Sequence, residues 1–392
     1  MTADGARGDG LIEFDDDYFG DPGAAHERLR AAGPIHRAVL SSGDDVWLLV
    51  GHEQVRAALT DPRLSVDRRH AGSGYTGLSL PGALNRNLLS LDGSDHARLR
   101  RLAAPAFTGE AVAPLEPRIR ATAAGLFADL AAAGKGDLIG EFAAPLARDT
   151  LRRLLGVPDG QSEEFVAHVE TLMAAEARPD EQRAAGGALL RIVGALVEAK
   201  RRERGADLIS ALVQARDGED RLTEDEMLSL VFLLVMAGYE TTTTLIGTAL
   251  LNLLSHDAQG EPAAAEALID RVLREQAPIP WSIRRFATRD LTVGGTLVRS
   301  GETVLLGLAS ANADPAAPSG RHLSFGHGAH YCLGAPLARL QARIAVEVVA
   351  AERARIRLVG DPADLGWRRS IRVRAPEALP VTTRPARLYK PP

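Results

Sequence analysis

Apolar residues recur at helical spacing through much of the chain, and one stretch stands out by length. Thr223-Glu-Asp-Glu226 has the form of a capping box, and the apolar pattern behind it predicts a helix reaching about Ser255. At 1.5 Å per residue that helix is roughly 48 Å long, enough to cross a whole domain. Its middle, Ala237-Gly-Tyr-Glu-Thr241 followed by Thr242, Thr243 and Thr244, is poor helix material, because glycine and β-branched residues cost helix stability. A threonine hydroxyl can bond the carbonyl four residues back, for Thr241 that of Ala237, and the expectation is a helix bent or opened there around a buried Glu240. A second periodic run, Leu337, Leu340, Ile344 and Val348, predicts a helix from Ala335 to about Ala351 that Pro336 opens.

Elsewhere the pattern is shorter in range. Gly23 to Ala32 and Gly51 to Leu59 read as helices, with a strand at Val46-Trp-Leu-Leu-Val50 between them and β structure around Gly294-Gly295. Ser94 or Asp95 can cap a helix carrying His96 and Arg100 on one face. Residues 61 to 89 have no period and read as a long loop, and residues 111 to 222 as several amphipathic helices. These elements predict a mainly α fold with small β-sheets, residues 1–11 forming a flexible N-terminus and residues 12–392 a single domain.

Composition narrows the function. A net charge of -5, from 46 basic and 51 acidic residues, gives no basic excess for nucleic acid and directs attention to small molecules and proteins. The polar N-terminus has no signal-peptide pattern, and the longest uninterrupted apolar run, Leu230 to Gly238, is too short to span a bilayer. A cytoplasmic protein without a membrane partner is expected, and a single cysteine, Cys332, fits a reducing compartment.

That cysteine lies in Ser324-Phe-Gly-His-Gly-Ala-His-Tyr-Cys-Leu-Gly-Ala335, a glycine-rich loop at a helix start. Backbone N–H groups and the helix dipole favour a thiolate there, glycines admit a large flat ligand, and a phenyl ring shields the sulfur. The pattern Phe-Gly-x-Gly-x-x-x-Cys-x-Gly resembles the haem-binding loop of the cytochrome P450 family, and the resemblance extends from about residue 12 to 385. It implies that fold, with haem b between the long central helix and the Cys332 helix. It implies Cys332 as the axial ligand of the iron, with Phe325, Gly326 and Gly334 around it and His96, Arg100, Arg285 and His330 on the propionates. Glu240 and Thr241 become the acid-alcohol pair that supplies protons. Val235, Met236, Ala237, Tyr239, Trp281 and Ile283 become the substrate pocket, with Trp281 equally readable as core. The implied activity is hydroxylation or epoxidation of a small organic molecule with O2. The electrons would come from a ferredoxin and its reductase, the ferredoxin docking near Arg101 and Arg339. An alanine- and arginine-rich chain resembling a high-GC bacterial product suggests a polyketide, terpenoid or peptide substrate.

Two departures stand against this. Where the family has Glu-x-x-Arg, the chain has Arg271 and Arg274, with Asp270 available to pair with Arg274. The family's meander is shortened to Ala316 through Leu323, with Arg321 as the candidate substitute, and the segment from His256 to Ala263 is shortened too. These losses support an alternative, an accessory protein for a partner enzyme or a haem enzyme working without a reductase.

Overall fold

The computed structural model describes residues 11–73, 75, 84–158, 162–173, 178–205, 207–216, 222–255 and 265–384. The N-terminal residues 1–10, residues 76–83 of the expected loop and the shortened segment at 256–264 lie outside them. The capping box forms in both directions: Thr223 N–H donates to Glu226 Oε2 at 2.9 Å, and Glu226 N–H to Thr223 Oγ1 at 3.2 Å. The central helix that follows, Glu224–Ser255, is unbroken. Thr241, Thr243 and Thr244 bond the carbonyls of Ala237, Tyr239 and Glu240 at 2.7–2.9 Å, so the predicted back-bonds exist without opening the helix. The hydroxyls add to the backbone ladder instead of displacing it.

This helix is long and apolar enough, by length and composition, to cross a membrane, which the short run Leu230 to Gly238 understates. Its apolar surface is instead covered by protein. Met227 to Val235 pack with Leu189, Val193 and Leu212, from the helices Pro179–Arg202 and Leu208–Arg216. Leu245 to Leu254 pack with residues of the helices Glu116–Ala133, Ala265–Glu275 and Ala335–Ala351. Each leucine buried in this way contributes about 1.5–3 kcal/mol. Gly238 marks a close crossing, since a Cβ there would stand 2.7 Å from Leu151 Cδ2 on the helix Ala144–Leu155.

Among the described residues, a six-stranded sheet runs in the order Ile12–Glu13, Ile35–Val39, Asp45–Leu49, Thr303–Leu306, Arg285–Ala287, Leu64–Ser65. Leu64–Ser65 falls inside the expected loop and pairs antiparallel with Arg285–Ala287, a partner more than two hundred residues away that no local pattern reveals. Ile356–Leu358, Pro380–Thr383 and Lys135–Asp137 form a three-stranded sheet. The hairpin Leu291–Val293 with Thr296–Val298 turns on Gly294 and Gly295, both at positive φ, as a two-residue turn of this kind requires. The helix bearing His96 is Gly93–Ala103, preceded by Asp92 with no side-chain cap, in place of the expected Ser94 or Asp95. The Asp92 carboxylate instead accepts from Ser65 Oγ and from Val66 N–H at 2.8 Å, fixing the helix start to the sheet edge.

Candidate active site

Cys332 lies where the central helix and the start of Ala335–Ala351 converge. The loop before it is held by short-range bonds: Gly326 N–H to Leu323 O at 2.7 Å, Tyr331 N–H to Gly328 O at 3.1 Å and Cys332 N–H to Phe325 O at 2.8 Å. Gly326 and Gly328 adopt positive φ, and a Cβ on Gly328 would also lie 2.7 Å from Thr60 Cγ2. The Phe325 ring is half-buried, with the Arg339 guanidinium 5.6 Å from its centroid.

A cavity of about 290 Å³ separates this loop from the middle of the central helix. Phe325, Gly326, His330, Cys332 and Gly334 line it from the loop, Ala237, Gly238 and Thr241 from the helix, and His96, Arg100 and Arg285 from a third side. A second cavity, about 440 Å³, shares Leu233, Ala237, Thr241, Ile279 and Ile283 with the first and adds Phe232, Met236, Glu240 and Trp281. Cys332 is exposed only in the sense that it faces the first cavity. Burial pushes its thiol up, against the opposing pull of the Gly334 N–H, the Arg100 charge and the Ala335 N–H. The helix-start groups act in the expected direction without winning, and a bound cation would reverse the balance.

The donor set fits a flat ligand with two carboxylates. His96 Nε2 and Arg285 Nε are buried without a hydrogen-bond partner, on residues that line the cavity. Unpartnered buried donors are costly, and carboxylate oxygens would satisfy both. Gly334 also lines the cavity, and a Cβ there would meet no protein atom within 4 Å, so protein packing does not require its small size. His96 is held down to about 4 by burial and by the nearby His330 and Arg100, against the pull of Asp92, and is therefore neutral near pH 7.

His330 differs from its expected role. It lines the cavity, but Nε2 bonds Asp92 Oδ1 at 2.8 Å and Nδ1 bonds Leu88 O at 3.2 Å, so both ring nitrogens are engaged. Although burial pushes Asp92 up, hydrogen bonds from His330, Ser65 and the Val66 N–H hold it well below the usual carboxylate range. His330 thus orients the pocket wall, its ring centroid 4.2 Å from that of His96. The signal for Asp92 was its place four residues before His96.

Of the pocket residues, Met236, Ala237, Trp281 and Ile283 line the second cavity, but Val235 and Tyr239 do not. They lie four apart on another helical face and pack against Leu151, Leu155, Phe165 and Val166. Trp281 joins both readings: it is 3% exposed in a core cluster, and its Nε1–H donates to Tyr18 Oη at 2.8 Å. Glu240 is half-buried, not buried, and pairs with Arg368 at 3.1 Å. Arg368 was not anticipated, being 128 residues away.

Where the Glu-x-x-Arg network is missing, other bonds tie the same segments together. Asn312 donates through Nδ2 to Leu273 O at 3.2 Å and to Ser324 Oγ at 2.8 Å, while its Oδ1 accepts from Leu323 N–H at 2.6 Å. Ser324 Oγ donates to the same Leu273 carbonyl. Asn312 thereby ties the end of Ala265–Glu275 directly to the cysteine loop. Asp270 pairs with Arg339 at 2.6 Å, not with Arg274, and Glu266 with Arg343 at 3.4 Å, joining two helices by charge. Arg274 pairs with Glu275 and Arg321 is exposed, so neither substitutes for the network. Arg339 is committed to this cluster, whereas Arg101 is exposed on the surface.

The sequence model described as Cytochrome P450 matches residues 189–260. Cytochrome P450 monooxygenase PikC of Streptomyces venezuelae is 36% identical over 95% of this chain and 93% of its own length. Mycinamicin IV hydroxylase/epoxidase of Micromonospora griseorubida is 34% identical over 90% of this chain and 93% of its own. The solved structure of the tirandamycin C-bound P450 monooxygenase TamI is 37% identical, has a TM-score of 0.86, and is covered over 95% of this chain and 100% of that one. With such likeness along nearly its whole length, and with a cysteine loop facing a helix across a cavity bordered by unsatisfied donors, the chain belongs to the cytochrome P450 family of haem-iron monooxygenases.

Proposed function

We propose that the chain hydroxylates or epoxidises a small secondary metabolite of polyketide type, using haem b held by Cys332 and electrons from a ferredoxin and its reductase. The observation that carries this reading is Cys332 and Thr241 lining one cavity from opposite elements, with the unpartnered donors of His96 and Arg285 on its wall. The relatives acting on mycinamicin IV and binding tirandamycin C support the substrate class.

Haem, when bound, would supply the dioxygen activation needed for oxygen transfer to substrate carbon. His96, Arg100 and Arg285 hold the propionates, and Phe325 beneath Arg339 keeps water from the sulfur side. Thr241 Oγ1, fixed on Ala237 O, presents its hydroxyl to both cavities and moves a proton between them. Glu240 lines only the second cavity, where its carboxylate, steadied by Arg368, receives protons from water and passes them toward Thr241. Glu240 and Thr241 sit at the join because adjacent positions on one helix differ by about 100°.

Thr241→Ala is expected to keep haem and substrate binding while product per reducing equivalent falls by an order of magnitude or more, the remainder appearing as peroxide. Coupling equal to that of the parent would remove Thr241 from proton delivery.

A further inference from the structure

The second cavity continues from Ala237 and Thr241 away from Cys332, between mainly apolar walls that include Phe232, Met236 and Ile283. Three of its lining residues are arginines, Arg68, Arg284 and Arg372, from three separate segments. Arg284 Nη1 donates to Tyr75 Oη at 3.4 Å, and the guanidiniums of Arg284 and Arg68 stand 5.4 and 6.0 Å from the same tyrosine ring centroid. Among the described residues, none of the three is within salt-bridge distance of a carboxylate. Glu240, the one acid lining this cavity among the described residues, is paired with Arg368. Desolvation and the neighbouring Arg284 charge hold Arg372 below the usual guanidinium range, against Glu240 and Tyr75. Arg284 is half-buried while Arg68 and Arg372 are exposed, so three like charges with no bonded carboxylate border an apolar space and attract an entering anion.

We propose that the substrate carries a carboxylate on an apolar body, and that Arg68, Arg284 and Arg372 receive this carboxylate at the end of the cavity remote from Cys332. The planar guanidiniums suit a carboxylate's paired oxygens, and the walls around Phe232 and Met236 take the apolar part. This assignment rests on the monooxygenase reading above and narrows its substrate class.

The test uses the haem-loaded full chain, titrated with straight-chain fatty acids from octanoic to hexadecanoic and with their methyl esters. Equilibrium dialysis and the substrate-induced spin shift report binding. The best acid is expected to bind at least about tenfold tighter than its ester. Combining Arg284→Gln with Arg372→Gln should weaken the acid by about tenfold or more and leave the ester within about twofold. Single Arg68→Gln should reduce the acid preference in the same direction, which keeps the test intact if the double variant folds poorly. Esters binding as tightly as acids, no binding of any acid, or an unchanged preference in the variants would overturn the assignment. The reduced carbon monoxide spectrum, recorded on every sample, separates two failures. No thiolate-type band in the parent chain defeats the monooxygenase reading itself, whereas a normal band without acid preference defeats only the carboxylate assignment.

Discussion

His26 is 4% exposed, with Nε2 3.1 Å from Tyr18 Oη, which in turn accepts from Trp281 Nε1. Tyr18 is pushed up to about 12 by burial, against hydrogen bonding from Trp281, so its hydroxyl stays protonated and shares a hydrogen bond with a neutral His26. Burial, with Arg30 and Arg374, lowers His26 to about 4, whereas an unfolded histidine titrates near 6.5. The unfolded chain therefore binds the extra proton between those values, and folding stability is full above about pH 7 and falls as the pH drops toward 4. The loss from this one residue reaches on the order of 3 kcal/mol. His26→Gln retains a hydrogen-bond partner for Tyr18 and should reduce the fall in urea midpoint between pH 7 and 5. His96, lowered in the same direction, leaves part of the slope in place. An identical slope in parent and variant would contradict this. At this scale the sequence revealed residue types better than partners. Cys332, Thr241, His96 and Arg285 were legible from local pattern and resemblance. Engagement of both His330 nitrogens depends on Asp92 and Leu88, more than two hundred residues away.

Elements were legible where a local rule decides them. Thr223 to Glu226 announced the start of Glu224–Ser255 because a capping box is made within four residues. Assigning Val235 and Tyr239 to the pocket failed because a contiguous stretch of helix presents every face, and only packing decides which one looks inward. Gly238, read as a weak point, is a packing requirement. Gly238→Val should destabilise by about 1–3 kcal/mol, through overpacking against Leu151, seen as a lower denaturant midpoint. An unchanged midpoint would mean that Leu151 moves aside freely. Asn312 joins segments 39 and 11 residues away in sequence, a link that no pattern within one segment discloses. Asn312→Ala leaves the Leu323 N–H without its acceptor and should cost about 2–4 kcal/mol, with haem released more readily on dilution or mild urea. Parent-like haem retention would show that the charge pairs Asp270–Arg339 and Glu266–Arg343 suffice.

Across the whole molecule, the central helix joins two cores and carries Thr241 to the cavity between them, while the sheet places Arg285 and Asn312 ties the cysteine loop to Ala265–Glu275. Chain order conceals this arrangement, because the cavity walls come from segments as far apart as Leu59 and Gln341. Cys332 is the residue we propose as the ligand of the haem iron. The most direct measurement is the reduced carbon monoxide spectrum, with haem content, of the parent chain and of Cys332→Ala. A stoichiometric thiolate-type band in the parent, absent from the variant, is the expected result. The same band in Cys332→Ala, or a neutral-ligand band in a haem-replete parent, would contradict it.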